Sequence, residues 1–217
     1  MLKLTTENKR YFLLGVMSLN KQGNMKKIVL VVVGVLVLLV AVSGCGYNGL
    51  VKMDEDVKTK WAQVETQYQR RSDLIPNLVS TVKGAAKFEQ TTLTQVIEAR
   101  SKASQITIDP DNLTEENMQK YQAAQGQLSQ ALGKLMVLTE NYPELKATQQ
   151  FSELSAQLEG TENRIAVSRK DFNEAVQTYN TKVRSFPNNL TAGMFGFSQK
   201  AAFKAEAGAQ NAPKVEF

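Results

Sequence analysis

From Leu50 to Phe186 the large apolar residues recur at steps of three and four, and this spacing limits what the chain can become. Such steps lay one apolar seam along a helix, whereas a half-buried strand needs alternation, of which no convincing run occurs. Four stripes can be read. The first is Leu50, Met53, Val57, Trp61, Val64 and Tyr68; the second is Leu78, Val82, Ala86, Leu93 and Val96. The third is Met118, Tyr121, Leu128, Leu132, Leu135 and Leu138. The fourth runs through Phe151, Leu154, Leu158, Ile165, Phe172, Val176, Tyr179, Val183 and Phe186. Four seams of this length bury one another most simply in an all-α, elongated, antiparallel up-down-up-down four-helix bundle over residues 47–186.

The punctuation between stripes agrees. Asp109-Pro110-Asp111 breaks the chain, and Thr114 then caps a helix with Glu115 and Glu116 in its first turn and Leu113 stapled to Met118. Asn141-Tyr142-Pro143 ends the third helix and Phe186-Pro187 the fourth. Between the first two stripes the turn is placed at Arg70–Pro76, with Asp73 as cap and Pro76 in the first turn of the next helix. That order sends the Arg70–Pro76 turn and the Asn141–Thr148 connection to the pole distal from the N-terminal anchor.

Histidine is absent and there is one cysteine, Cys45. Ser-His and Cys-His nucleophile pairs, imidazole metal sites, cysteine-built zinc sites and internal disulfides are therefore excluded. No cofactor or metal is implied, and no constellation of carboxylates suggests a catalytic residue. The net charge of +5 does not point to nucleic acid. Six cations but only Glu7 among anions precede Cys45, and the remaining 20 Lys/Arg and 20 Asp/Glu cancel. A balanced folded part lacks the cationic surplus that phosphate neutralisation requires.

Ile28–Val42 is uninterrupted apolar sequence behind Met25-Lys26-Lys27. Two readings of residues 25–45 stand side by side. In one, the stretch is an uncleaved transmembrane helix of about 20 residues. In the other it is the core of a secretory signal, Val42-Ser43-Gly44-Cys45 is a lipoprotein cleavage box, and the Cys45 thiol carries the lipid. Lysines before the run and Asp54, Glu55 and Asp56 after it place the bulk of the chain outside the cytoplasm in both. Residues 1–24 read as an upstream extension, because Met25-Lys26-Lys27 is the more ordinary start of an exported chain.

Arg70-Arg71-Ser72-Asp73-Leu74-Ile75-Pro76-Asn77-Leu78-Val79 resembles the signature of the LemA family. So do Glu140-Asn141-Tyr142-Pro143-Glu144-Leu145, Leu158-Glu159-Gly160-Thr161-Glu162-Asn163-Arg164-Ile165 and Gly193-Met194-Phe195-Gly196-Phe197. The resemblance covers Tyr47 to Phe203 and implies a bacterial membrane protein with an antiparallel helical bundle. It implies no known enzyme activity. Some members are encoded near a membrane-bound metallopeptidase, which implies an envelope protein as partner, a membrane protease among the candidates. The chain departs from many relatives in its upstream extension and in Cys45, where others carry a plain membrane helix.

The candidate partner-binding residues are Arg70, Arg71 and Asp73; the competing account is a capped turn with local ion pairs. Glu159, Glu162, Asn163 and Arg164 read as a polar layer fixing helix register, with Glu162 and Asn163 able to reach a neighbouring helix. Residues 187–217 form a Gly- and Phe-bearing tail that either folds over the bundle end or touches the membrane interface. Two functions are compatible with these features: a non-enzymatic, membrane-anchored scaffold or adaptor of the cell envelope, or a module holding a small apolar or lipid molecule within the bundle.

Overall fold

A computed structural model describes the backbone of residues 5–84 and 89–204, and side chains for residue 25, for 27–34, and from 46 onward within those ranges. Met1–Gly49 and Leu50–Phe217 form separate units, and among the described residues the buried clusters lie in the second. The readings of residues 1–24 and of Cys45 fall outside the described side chains, as does all of 35–45, the greater part of the apolar stretch on which a membrane span depends. Among the described residues, no helix is long and apolar enough to cross a membrane.

All regular structure among the described residues is helical: α1 (Thr5–Lys83), α2 (Gln90–Gln105), α3 (Glu115–Thr139), α4 (Pro143–Lys146), α5 (Gln149–Arg184) and α6 (Asn188–Phe195). Several starts and stops follow the expected chemistry. Thr114 accepts from the Asn117 N–H at 3.3 Å at the start of α3, and Leu113 and Met118 are both buried beside it. Thr148 caps α5 in the same way, accepting from the Phe151 N–H.

The turn expected at Arg70–Pro76 does not exist. α1 runs straight through Pro76 to Lys83, and α2 begins at Gln90. A proline inside a helix removes the hydrogen bond to the carbonyl four residues back and costs about 3 kcal/mol. Here the carbonyl left behind is that of Ser72. Arg100 of α2 supplies the missing donor: its Nε lies 2.9 Å from Ser72 O. The Ser72 and Ser104 hydroxyls also meet at 3.3 Å. On either side of the proline, Ile75, Leu78, Val79 and Val82 are buried, each contributing on the order of 1.5–3 kcal/mol, so packing outweighs the local defect.

Two buried clusters divide the unit lengthwise. One joins the Ile75–Val82 part of α1 to α2, the Leu128–Leu135 part of α3, Leu145 of α4 and the Phe151–Leu158 part of α5. The other joins Leu50–Tyr68 of α1 to Met118 and Tyr121 of α3 and Ile165–Val183 of α5. α2 is too short to reach this second cluster. Ile108 and Leu113 of the connecting loop, Ala192 of α6 and Phe203 of the tail close it instead. Trp61 is its centre, with ring centroids 5.3 Å from Tyr121, 5.3 Å from Phe172 and 6.0 Å from Phe203. The described part of the tail, to residue 204, therefore folds against the helices, through an unpredicted short helix, α6. Gly196 (φ 77°) ends α6 in the left-handed conformation, which lets the Phe197 N–H turn back to Ala192 O at 3.0 Å.

The compensation at Pro76 yields a prediction. Arg100→Met leaves Ser72 O without its donor and should cost about 1–3 kcal/mol in urea unfolding. In a Pro76→Ala background the restored N–H serves that carbonyl, and the same substitution should cost less than half as much. Equal costs in the two backgrounds would contradict the assignment.

Candidate functional site

Between the two apolar clusters lies a polar layer built around Arg71, whose side chain is 2% exposed. Burying a guanidinium costs several kcal/mol in desolvation, and here the two Nη groups are matched while the buried Nε has no partner. Nη1 donates to Ser129 Oγ at 2.7 Å and to Glu162 Oε2 at 2.9 Å. Nη2 donates to Gln125 Oε1 at 2.7 Å and reaches Gln125 O at 3.4 Å. The guanidinium also lies 5.0 Å from the centre of the Tyr68 ring. One side chain of α1 thus binds both α3 and α5. Thr161 of α5, fully buried, completes the layer by donating to Gln157 O at 2.7 Å.

This placement corrects the expected site. Arg70, Arg71 and Asp73 lie within a helix, not at a distal turn. Arg71 faces inward and has no surface to offer a partner. Arg70 and Asp73 are exposed, and Asp73 caps no helix but accepts from Gln69 Nε2 at 2.8 Å. Of the four mid-α5 residues, Glu162 reaches a neighbouring helix, while Glu159, Asn163 and Arg164 are exposed.

Above the layer opens a cleft of about 970 Å³ between α1, the end of α2 and α3. It exists because α2 stops at Gln105 and the chain leaves along Ile106–Thr107, uncovering the flank of α1. Arg70, Gln69 and Asp73 are among its lining residues, as are Glu65, Tyr121 and Gln125. Burial pushes the Glu65 carboxyl above the usual carboxylate range. Burial also raises Tyr68 and Tyr121, the latter further through Tyr68 and Glu65 beside it. The phenols therefore stay protonated across neutral pH, and the cleft offers hydroxyl, amide and carboxyl groups rather than a nucleophile. Among the described residues, no three of Cys, Asp and Glu come together in a way that could hold a metal ion.

The layer and the cleft can each be tested by substitution. Gln125→Leu strips Arg71 of its most buried acceptor and should cost about 1–3 kcal/mol in urea unfolding. Glu162→Gln should cost under about 1 kcal/mol, because that carboxylate is 56% exposed. Equal losses would contradict this division of the layer. A carboxyl raised in the folded state penalises folding only where it is ionised, so removing the Glu65 charge should help above its folded value and do nothing below its unfolded one. Glu65→Gln should thus raise the unfolding midpoint at about pH 7, with the gain lost near pH 4; a gain independent of pH would contradict the burial argument.

The sequence has counterparts among known proteins. Residues 60–217 match the LemA family. The chain is 28% identical over 175 residues to the magnetosome protein MamQ 2 of Paramagnetospirillum magneticum, covering 73% of this chain and 64% of that protein. It is 27% identical over 174 residues to magnetosome protein MamQ of Magnetospirillum gryphiswaldense, covering 72% and 64%. With protein LemA of Metamycoplasma hominis the identity is 23% over 158 residues, covering 73% and 68%. The chain spans somewhat less than two thirds of the length of the MamQ proteins it matches. The matched region takes in most of α1's buried part, with Arg71 and Pro76, and every later helix: the chain belongs to the LemA family.

Proposed function

We propose that the chain is a non-enzymatic, membrane-anchored scaffold of the cell envelope, held through residues 25–45 and working as an antiparallel helical bundle. In this reading it presents the cleft rimmed by Arg70 and Asp73 to an envelope protein, a membrane protease among the candidates. The supporting observation is how the Arg70–Asp73 stretch is divided: Arg71 is consumed in locking three helices, while its two exposed neighbours border the large opening that short α2 leaves. A scaffold needs that combination of a fixed frame and an open, polar recessed face.

A photo-crosslinking residue at Arg70, in chain expressed in its native membrane, should trap one discrete protein. The same residue at exposed Glu174 on α5 should not. Identical or absent adducts at both positions would count against the cleft.

A second reading, a module for a small apolar or lipid molecule, draws on another opening. Leu132, Met136 and Leu158 line a groove of about 410 Å³ floored by Arg71 and Glu162. If it holds such a ligand, native mass spectrometry of detergent-extracted protein should show a bound mass that Gly133→Trp removes. A bare protein mass in both would dismiss this reading.

A further inference from the structure

Residues 197–204 have no regular structure of their own, yet their backbone is gripped at three places by side-chain amides. Asn180 accepts from the Lys200 N–H at 2.9 Å and donates to Lys200 O at 2.8 Å. Asn173 does the same for Phe203 at 2.9 and 3.1 Å. Gln122 of α3 does so for Lys204 at 3.3 and 2.7 Å. Each amide completes a two-bond exchange of the kind that a neighbouring strand would make. The spacing is matched. Asn173 and Asn180 stand two turns apart on α5, about 10.5 Å, and three residues of extended chain cover about 10 Å. The Ala201 N–H adds a bond to Leu113 O at 2.9 Å.

Two side chains enter dedicated pockets from this ladder. Lys200, 7% exposed, places Nζ 2.9 Å from Asp54 Oδ1 and 3.0 Å from Pro110 O, with the Tyr179 ring at 5.7 Å. A lysine is buried this far only when a carboxylate and an acceptor meet it. Tyr179 is itself pushed up to about 12, chiefly by burial and next by the Asp54 charge, so it keeps its proton beside the lysine. Phe203 stacks on Trp61 and meets Phe172 edge-on at 5.6 Å, with the Arg169 guanidinium 4.6 Å from its ring centre. The two intervening residues are alanines.

We propose that the groove between α3 and α5 is a receptor for an extended Lys-x-x-Phe segment, that residues 197–204 are its ligand in cis, and that its partner in trans is the same segment of a second copy of this chain. The backbone ladder supplies affinity that does not depend on sequence, and the two pockets supply selection. A second copy carries the segment that fits both pockets. The cis tail competes at the millimolar effective concentration of a short tether, so exchange requires copies brought close together.

Complementary variants of the full chain in detergent test this. One carries Asn173→Ala/Asn180→Ala (groove impaired, tail intact) and the other Lys200→Ala/Phe203→Ala (tail impaired, groove intact). Mixed under different tags, they should co-purify as a heterodimer at least about tenfold more than either variant with itself. A synthetic peptide of residues 197–204 should abolish that heterodimer, and a peptide with alanine for lysine and phenylalanine should not. If the mixed pair stays monomeric, or the altered peptide competes equally, the proposal is overturned. Should the alanine tail lower helicity by circular dichroism, Lys200→Met/Phe203→Leu preserves side-chain volume, and the same outcomes decide.

Discussion

A guanidinium buried among three helices gives the unit its register. Arg71 reaches Gln125 and Ser129 on α3 and Glu162 on α5, and each bond is lost if a helix slides by one turn. Apolar seams alone would tolerate such slippage, because leucine meets leucine one heptad on at little cost. The polar layer removes that degeneracy: a shifted helix would leave a buried cation facing methyl groups, at a cost of several kcal/mol. Between two apolar clusters, one charged layer therefore selects a single alignment.

The same segment explains why α1 can tolerate a proline. Pro76 opens a gap in the backbone ladder, and Arg100 fills it from α2, so the defect becomes a tether between the first two helices. Arg71, Ser72 and Pro76 act over one and a half turns: the arginine aligns α3 and α5, and the serine and the proline-freed carbonyl engage α2. Once α2 is fixed at this height it stops short of Trp61. That single shortfall leaves both the cleft beside Tyr68 and the aromatic cluster that Phe203 must cover.

Much of this architecture was legible in the sequence, and the misses have physical causes. The helical class, the Thr114 cap, the Leu113 staple and the breaks at Pro143 and Pro187 follow from local chemistry that tertiary packing did not overrule. The break expected in α1 treats charge and proline as interruptions. Val57, Trp61, Val64, Tyr68, Arg71, Ile75, Leu78 and Val82 keep an unbroken alternation of fours and threes, so the seam never lost phase. Gln125 sits in the α3 seam between Tyr121 and Leu128, and Thr161 in the α5 seam between Leu158 and Ile165; all three polar seam residues fall in one layer. A polar residue in phase was the available signal. The grip on the tail had none, because Asn173, Asn180 and Gln122 are ordinary surface types until an extended segment lies across them.

The continuity of α1 through Arg71 and Pro76 underlies the polar layer, the cleft and the tail groove alike, and one distance reads it directly. Spin labels at exposed Gln63 and Ser80, placed in a Cys45→Ser background, lie 17 residues apart on α1. A continuous helix predicts a single separation near 25 Å between the labelled backbone sites, at about 1.5 Å per residue. A hairpin at Arg70–Pro76 would fold the two sites onto adjacent helices some 10 Å apart, and a distribution centred there would contradict a continuous α1.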